Sequence, residues 1–216
     1  IKGRSDVQGK HKKQSGGHGQ YGDVKIRFSP GEGDGLTFTQ SVVGGSVPKN
    51  YFPAIEKGLL EAMQKGVLAG YPVVGLAADL YDGSYHDVDS NELSFKMAAS
   101  LAYKAGLPLA KPVLLEPIGE LKVTIPDSVV GAVMGDINSK RRGTVLGSNP
   151  AEGKPGYTTI DAEVPKATMV EYTIDLRAMT QGKGSYSFYF VRYDEVPGSE
   201  AQKIIAEAKA NMSEED

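Results

Sequence analysis

Hydrophobic and polar positions in the first half of the chain switch between two-residue and helical spacing. Alternating apolar and polar residues predict a strand, and apolar residues recurring every three or four positions predict an amphipathic helix. The predicted elements are a strand over 24–28, a strand over 36–39, a helix over 51–67, a strand over 73–81 and a helix over 91–105. This order favours an open sheet with two helices on one face.

The second of these helices has recognisable ends. Asp89 with Glu92 suits a capping box at its start, and Gly106 suits the glycine that follows a helix. The apolar residues that define it, at four-residue spacing, are Leu93, Met97 and Leu101.

In the second half of the chain the spacing predicts strands and helices more clearly. Their order is β-α-β-β-α-β, which is the split ferredoxin-like arrangement. The predicted elements are a strand over 121–125, a helix over 126–137, strands over 143–146 and 157–164, a helix over 168–181 and a strand over 185–193. A last helix over 199–209 has one apolar side, formed by Ala201, Ile204, Ile205 and Ala208. The sequence therefore predicts an α+β protein built of two α/β sandwiches.

Domain boundaries and charge follow the same division. Prolines punctuate the stretch 106–112, so we expect one domain over 1–111, a second over 112–198, and a C-terminal helix and acidic tail over 199–216 that packs back on the first domain. Residues 1–27 carry a net charge of +5, whereas residues 194–216 carry −5. A basic N-terminal segment can meet phosphate, but the net charge of −3 excludes a strong, non-specific duplex binder.

Composition excludes further classes of protein. The 216 residues include no cysteine, which excludes a disulfide scaffold, a thiol nucleophile and cysteine-ligated zinc, and favours a reducing cytosolic setting. No apolar run approaches the ~20 residues that span a bilayer, which excludes a membrane protein. The chain begins with isoleucine, so we expect it to be a piece of a longer protein.

Residues 17–22, Gly-His-Gly-Gln-Tyr-Gly, fit the pattern G-x-G-x-x-G. A dinucleotide site needs a buried strand before this pattern and a helix after it, and neither is predicted here. Two interpretations remain open: a glycine-rich hairpin between two strands, and a flexible tip that approaches an RNA backbone. The candidate donors to phosphate and ribose are Lys10, Lys12, Lys13, His18 and Gln20.

A second loop, over 81–90, holds His86 between Tyr81 and a helix start, together with Asp87 and Asp89. Carboxylates at a helix start cap backbone N–H groups, so a cap and turn is one hypothesis and a ligand-contacting loop is another. One histidine with two acids is weak support for a metal or a small-molecule enzyme. We predict no metal site and no catalytic residue.

Lys140, Arg141 and Arg142 end the first helix of the second domain. Bases at a helix C-terminus complement its dipole. A contact to ribosomal RNA or another anion is the alternative hypothesis for these three residues.

Several stretches, taken in order, resemble the fourth and fifth domains of bacterial elongation factor G. They are 9–23, 44–49, 82–90, Asp175-Leu176-Arg177 and Met179-Thr180-Gln181-Gly182. The resemblance covers nearly all of residues 1–198. It implies a ribosomal-protein-like first domain with a left-handed β-α-β crossover, against the usual preference, and a ferredoxin-like second domain.

The resemblance implies the C-terminal part of a translocation GTPase. Its first domain would place a tip in the decoding site of the small ribosomal subunit, against tRNA and mRNA, and its second would lie near the stalk base of the large subunit. No G-x-x-x-x-G-K-[ST] match occurs, so GTP and Mg²⁺ would belong to a missing N-terminal domain. For this chain we expect no cofactor, no enzymatic activity, no membrane partner, a monomeric state and a cytoplasmic location.

By motif match, His86 occupies the family's apical histidine position. The implied tip residues are Ser15, Gly16, Gly17, His18, Gly19, Gln20, Tyr21, Gly83, Ser84, Tyr85, His86, Asp87, Val88 and Asp89. His18 stands where arginine is usual, and Met169-Val170-Glu171-Tyr172 replaces a Met-Phe-Gly-Tyr-like run. These departures resemble the family's factor-G-like second paralogue, which leaves ribosome recycling or an accessory role in translation as alternatives to translocation.

Overall fold

The computed structural model describes residues 1–14 and 16–214, which form two compact units. The first unit consists of Ile1–Val113 together with the C-terminal helix, and the second is Leu114–Pro197. Each unit has a four-stranded sheet and its own hydrophobic core. The predicted α+β class is confirmed. Among the described residues, none of the helices combines the length and the apolar character that a membrane span requires.

The first unit places a parallel crossover beside an antiparallel hairpin. Its elements are β1 (Ser5–Lys13), β2 (Gln20–Pro30), β3 (Leu36–Gln40), α1 (Phe52–Ala62), β4 (Leu76–Ser84) and α2 (Glu92–Gly106). The strand order is β1-β2-β4-β3. β1 and β2 form an antiparallel hairpin, whereas β3 and β4 are parallel and connected through α1. This is the implied β-α-β crossover, and its left-handed sense stays a prediction.

α2 packs on β1 and β2 through very small residues. Its buried side includes Ser94, Ala98 and Ala102, at four-residue spacing. A Cβ added to Gly9 in β1 would lie 2.1 Å from the carbonyl oxygen of Ala98, and one added to Gly22 in β2 would lie 2.4 Å from that of Ser94. We call this set of five residues the glycine–helix contact. Glycine is required there because the helix backbone rests directly on the strands.

The apolar spacing located α2 but not its buried side. Leu93, Met97 and Leu101 are 52%, 42% and 41% exposed. The large apolar residues on which the prediction depended therefore lie outside the buried side of the helix, which faces β1 and β2 with small residues and also buries Phe95 and Tyr103.

The bounds of α2 agree with the prediction to within one residue, but both predicted caps are wrong. Asn91, rather than Asp89, is the N-cap, and its Oδ1 accepts a hydrogen bond of 2.8 Å from the backbone N–H of Ser94. Gly106 is the last residue of the helix rather than the residue after it, and it is buried. Its lack of a side chain serves packing, because an added Cβ would lie 2.5 Å from the ring of Phe28.

α1 is shorter than the helix predicted over 51–67, since it ends at Ala62. The chain then reverses: the N–H of Gly66 donates to the carbonyl oxygen of Tyr71 at 2.8 Å, and the N–H of Val73 donates to that of Met63 at 2.7 Å. Met63 is nevertheless buried, so the apolar stripe continues beyond the helix that it predicted.

The second unit has the predicted ferredoxin-like order. Its elements are β5 (Leu115–Pro126), α3 (Val130–Ser139), β6 (Thr144–Pro150), β7 (Tyr157–Pro165), α4 (Tyr172–Thr180) and β8 (Ser185–Glu195). The strand order is β6-β7-β5-β8, and neighbouring strands are antiparallel. The last helix, α5 (Gly198–Glu214), is longer than predicted. Its half-buried side includes the four predicted residues, Ala201, Ile204, Ile205 and Ala208.

α4 begins at Tyr172 rather than at Thr168, because the chain breaks between a short 3-10 turn and the helix. Glu171 stands at this break with φ of +60°, in the left-handed region. A residue with a Cβ is unfavourable there. This conformation explains why the usual pattern has glycine at this position, and nothing in the structure explains the glutamate that replaces it.

Replacing Glu171 with glycine is expected to raise the free energy of unfolding of the second unit by about 0.5–1 kcal/mol. The left-handed conformation costs a residue with a Cβ about 1–2 kcal/mol, and the extra backbone entropy of glycine offsets about 0.5–1 kcal/mol of that. Urea unfolding measures the change. Glu171→Ala is the matched control, since it removes the same charge but keeps the Cβ. Equal stability of the two variants would contradict the argument.

Candidate nucleic-acid interface

The β1–β2 turn and the β4–α2 loop meet at one end of the first unit. The N–H of Tyr21 donates to the carbonyl oxygen of Asp89 at 3.0 Å. A Cβ added to Gly19 would lie 3.2 Å from the Cγ of Asp89. The two segments that the sequence assigned to a tip therefore share one apex. We call residues 16–21 and 83–90 the tip; Ser15 lies outside the described residues.

The hydroxyl of Ser90 forms hydrogen bonds to both segments of the tip. Ser90 Oγ accepts a hydrogen bond of 2.9 Å from the backbone N–H of His86 and donates one of 2.8 Å to the carbonyl oxygen of Tyr21. The N–H of Ser90 also donates to the carbonyl oxygen of His86 at 3.1 Å. Ser90 was not among the predicted site residues, and only its place at the end of the 82–90 motif could have indicated it.

The imidazole of His86 has a defined plane. Its ring stacks on the ring of Tyr21 with a centroid distance of 4.0 Å and an interplanar angle of 20°. Its Nδ1 lies 4.0 Å from Asp89 Oδ2, and half of the side chain is exposed. Tyr21 itself is buried. The tip thus presents one face and the polar edge of a histidine on a fixed aromatic support.

The remaining predicted tip residues differ in exposure. Gly16, Gly17, His18 and Asp87 are exposed, and Val88 is 75% exposed. Tyr85 is 43% exposed, and the half-buried residues are Gly19, Gln20, Gly83, Ser84 and Asp89. The outer surface of the tip is therefore formed mainly by small or polar groups.

Two positions of the tip require glycine, one because of its backbone conformation and one because of a close approach between strands. Gly17 has φ of +147°, which residues with a Cβ rarely adopt. Gly83 lets β4 approach β2 closely, since an added Cβ would lie 2.2 Å from the carbonyl oxygen of Asp23. The pattern G-x-G-x-x-G here belongs to a hairpin between two strands, which was one of the two open interpretations.

The end of β1 next to the β1–β2 turn is rich in basic side chains. Lys10, Lys12 and Lys13 on β1 are exposed, and Lys10 Nζ lies 5.4 Å from the centroid of the Tyr21 ring. Across the hairpin, His11 Nε2 and Gln20 Oε1 lie 2.7 Å apart. Exposed ammonium groups beside small polar loops are suited to phosphate contacts.

The loop around His86 turns over residues 87–89, but its carboxylates do not cap α2, because Asn91 is the cap. Within the ranges 1–14 and 16–214, no group of three or more His, Cys, Asp or Glu side chains is placed so that it could hold a metal ion.

The three bases after α3 have different surroundings. Lys140 has an exposed side chain whose Nζ lies 2.8 Å from Asp175 Oδ2. Arg142 donates to both carboxylate oxygens of Glu116, at 3.0 Å each. Arg141 is 1% exposed, so the prediction of a ribosome contact is wrong for this residue.

Arg141 is a structural residue that joins α3 to the segment before α4. Its Nη1 donates to the carbonyl oxygens of Thr168 at 2.6 Å and Val170 at 3.0 Å. Its Nη2 pairs with Asp175, and its Nε lies 3.3 Å from Asp136 Oδ2. Hydrogen bonds from neighbouring cations, Lys140 foremost and Arg141 as well, lower the pKa of Asp175.

Comparisons with known proteins agree with this architecture. The family model described as "Elongation factor G, domain IV" matches residues 1–111, and the one described as "Elongation factor G C-terminus" matches residues 113–204. The elongation factor G-like protein of Thermotoga maritima is 49% identical over 208 residues, which cover 96% of this chain and 30% of that protein.

A solved structure shows the same fold. The crystal structure of a protein from Thermus thermophilus matches with a TM-score of 0.84 and 48% sequence identity, over 97% of this chain and 31% of that one. This chain thus spans less than a third of the length of these relatives. The chain belongs to the elongation factor G family of translation factors, and the parts of that family that it contains are domain IV and the C-terminal domain.

Proposed function

We propose that the first unit inserts its tip into the decoding site of the small ribosomal subunit, where it moves and holds the tRNA–mRNA duplex during elongation. The observation that carries this proposal is the convergence of two loops on one apex, with His86 stacked on Tyr21 and half exposed. The chain would act as the non-catalytic, cofactor-free part of a cytoplasmic translocation GTPase, with GTP and Mg²⁺ bound elsewhere in the longer protein.

The surface chemistry of the tip supports contact with structured RNA. Proteins recognise RNA helices mainly by shape and by contacts to phosphate and the 2′-hydroxyl. The exposed glycines at 16 and 17 allow close approach of the backbone, and the imidazole edge of His86 can donate or accept a hydrogen bond. The lysines of β1 supply attraction to phosphate without base specificity.

For the second unit we propose a position near the stalk base of the large subunit, in line with the family. Lys140 is the best exposed of the three predicted ribosome contacts, since 61% of its side chain is accessible. Arg142 could contribute only at the margin, because Glu116 already occupies its guanidinium.

In the longer protein, His86→Ala is expected to slow tRNA–mRNA translocation about tenfold or more, which is ~1.4 kcal/mol in the activation free energy. Ribosome-stimulated GTP hydrolysis should remain nearly unchanged. Stopped-flow fluorescence of labelled mRNA and phosphate release measure the two rates. Glu32→Ala, in the exposed turn at the other end of β2, is the control and should change neither rate. An unaltered translocation rate, or equal loss of both activities, would refute a role for the tip.

A second candidate function is supported by a specific comparison. The Thermotoga relative is named an elongation factor G-like protein, and this chain departs at His18 and at 169–172 from the usual elongation factor G pattern. The chain would then act in ribosome recycling or in an accessory step of translation. Expression of the longer protein in cells depleted of their main elongation factor G separates the two: restored growth supports translocation, and failure alongside active ribosome splitting supports recycling.

A further inference from the structure

A buried carboxylate lies directly beneath the tip. Asp23 in β2 is 6% exposed, and each of its carboxylate oxygens accepts a hydrogen bond. Gln8 Nε2 donates to Oδ1 at 2.7 Å, and Ser84 Oγ donates to Oδ2 at 2.6 Å. A carboxylate removed from water is unfavourable unless its oxygens are hydrogen-bonded. These two donors, from β1 and from the end of β4, therefore fix its orientation.

The hydrogen bonds continue from this carboxylate toward the tip. Tyr21 Oη lies 2.6 Å from Ser84 Oγ. A serine hydroxyl has one proton, and that of Ser84 is donated to Asp23. Tyr21 must therefore donate its own proton to Ser84. The direction of the chain is settled: Tyr21 donates to Ser84, and Ser84 donates to Asp23.

The end of this chain is the aromatic support of His86. The ring of Tyr21 is 7% exposed, and the imidazole of His86 stacks on it with a centroid distance of 4.0 Å. The other restraints on His86, through Ser90 and Asp89, act on its backbone or at 4.0 Å from Nδ1. The plane of the imidazole thus depends on where the Tyr21 ring is held.

We propose that Asp23 is a positioning residue of the tip, which acts through Ser84 and Tyr21 to fix the imidazole of His86 in the orientation that the tip presents. The importance of that orientation rests on the proposed function. The arrangement itself is a property of this chain alone and can be tested without a ribosome.

NMR of the 216-residue chain provides a direct readout, because its only histidines are His11, His18 and His86. A His86→Gln variant assigns the ring signals of His86. The ring current of Tyr21 changes the chemical shifts of these signals while the two rings are stacked. Asp23→Asn and Tyr21→Phe are each expected to remove most of this change, moving the signals toward those of an exposed histidine.

Asp79→Asn is the matched control for this experiment. Like Asp23, Asp79 accepts one side-chain hydrogen bond at each carboxylate oxygen, here from Thr39 Oγ1 at 3.0 Å and Ser41 Oγ at 2.7 Å, but it is no part of the tip. This variant should leave the His86 signals in place. A general effect of losing a strand carboxylate would move them in both variants and would overturn the proposal.

Unchanged His86 signals in a folded Asp23→Asn variant would also overturn it. Should Asp23→Asn fail to fold, Tyr21→Phe carries the test, because it keeps the ring and removes only the hydroxyl; signals unchanged in that variant reject the proposal equally. If the signals move as expected while His86→Ala leaves translocation unaffected in the longer protein, the positioning role of Asp23 stands and the proposed function of the tip fails.

Discussion

An Arg141→Met variant is expected to lose about 3–5 kcal/mol of unfolding free energy in the second unit, the usual effect of removing one partner of a buried ion pair. The substitution leaves the carboxylates of Asp136 and Asp175 and the carbonyl oxygens of Thr168 and Val170 without their common donor. The side chain also lies over the Tyr172 ring, with Cζ 5.0 Å from its centroid. Urea unfolding followed by tyrosine fluorescence measures the loss.

Lys140→Met is the matched control for Arg141→Met. Both side chains pair with Asp175, but that of Lys140 is 61% exposed. Exposed ion pairs contribute about 0–1 kcal/mol, so the control should change the stability little. Similar losses in the two variants would show that charge near Asp175, rather than the buried guanidinium network, stabilises the unit.

Gly9→Ala is expected to destabilise the first unit by about 2–3 kcal/mol, at the upper end of the range for overpacked cores. The new methyl group would lie 2.1 Å from the carbonyl oxygen of Ala98 and 2.5 Å from the backbone N of Ala102. Backbone atoms of a packed helix cannot turn aside as a flexible side chain can, so α2 must move away from β1. Urea unfolding and amide hydrogen exchange of α2 measure the effect.

Gly35→Ala is the control for Gly9→Ala in the same unit. A Cβ added to Gly35 would have nothing within 4 Å. Both substitutions restrict the unfolded chain to a similar degree, so the difference between them isolates the contact with α2. We expect the control to stay within about 0.5 kcal/mol of the parent. Equal stability of the two variants would contradict the glycine–helix contact.

Most helices and strands could be predicted from the sequence because they depend on local periodicity, but β1 was not among the predicted elements, since Val7 is its only large apolar residue. The side of a helix that becomes buried depends on what it packs against. Leu93, Met97 and Leu101 indicated α2 correctly, but the glycines of β1 and β2 select the neighbouring stripe of small residues. Hydrophobicity alone could not show this, since alanine and serine contribute little to a periodic signal.

The members of the tip could be named from family motifs, but the contacts between them could not. Tyr21 and His86 are far apart in sequence, and their stacking depends on the pairing of β2 with β4. The burial of Arg141 could not be predicted from the sequence either. A basic residue at a helix end suggests an exposed charge, and only the tertiary structure shows that backbone carbonyls of the segment before α4 enclose it.

The glycine–helix contact has a mechanical consequence. Where two layers pack through long side chains, those side chains have several rotamers with which to accommodate a small displacement. Between α2 and strands β1 and β2, glycine at 9 and 22 leaves the helix in contact with bare backbone. Helix and strands must therefore move together, and since α2 starts and the β1–β2 hairpin closes at the same end of the unit, a displacement of the hairpin there also displaces the helix.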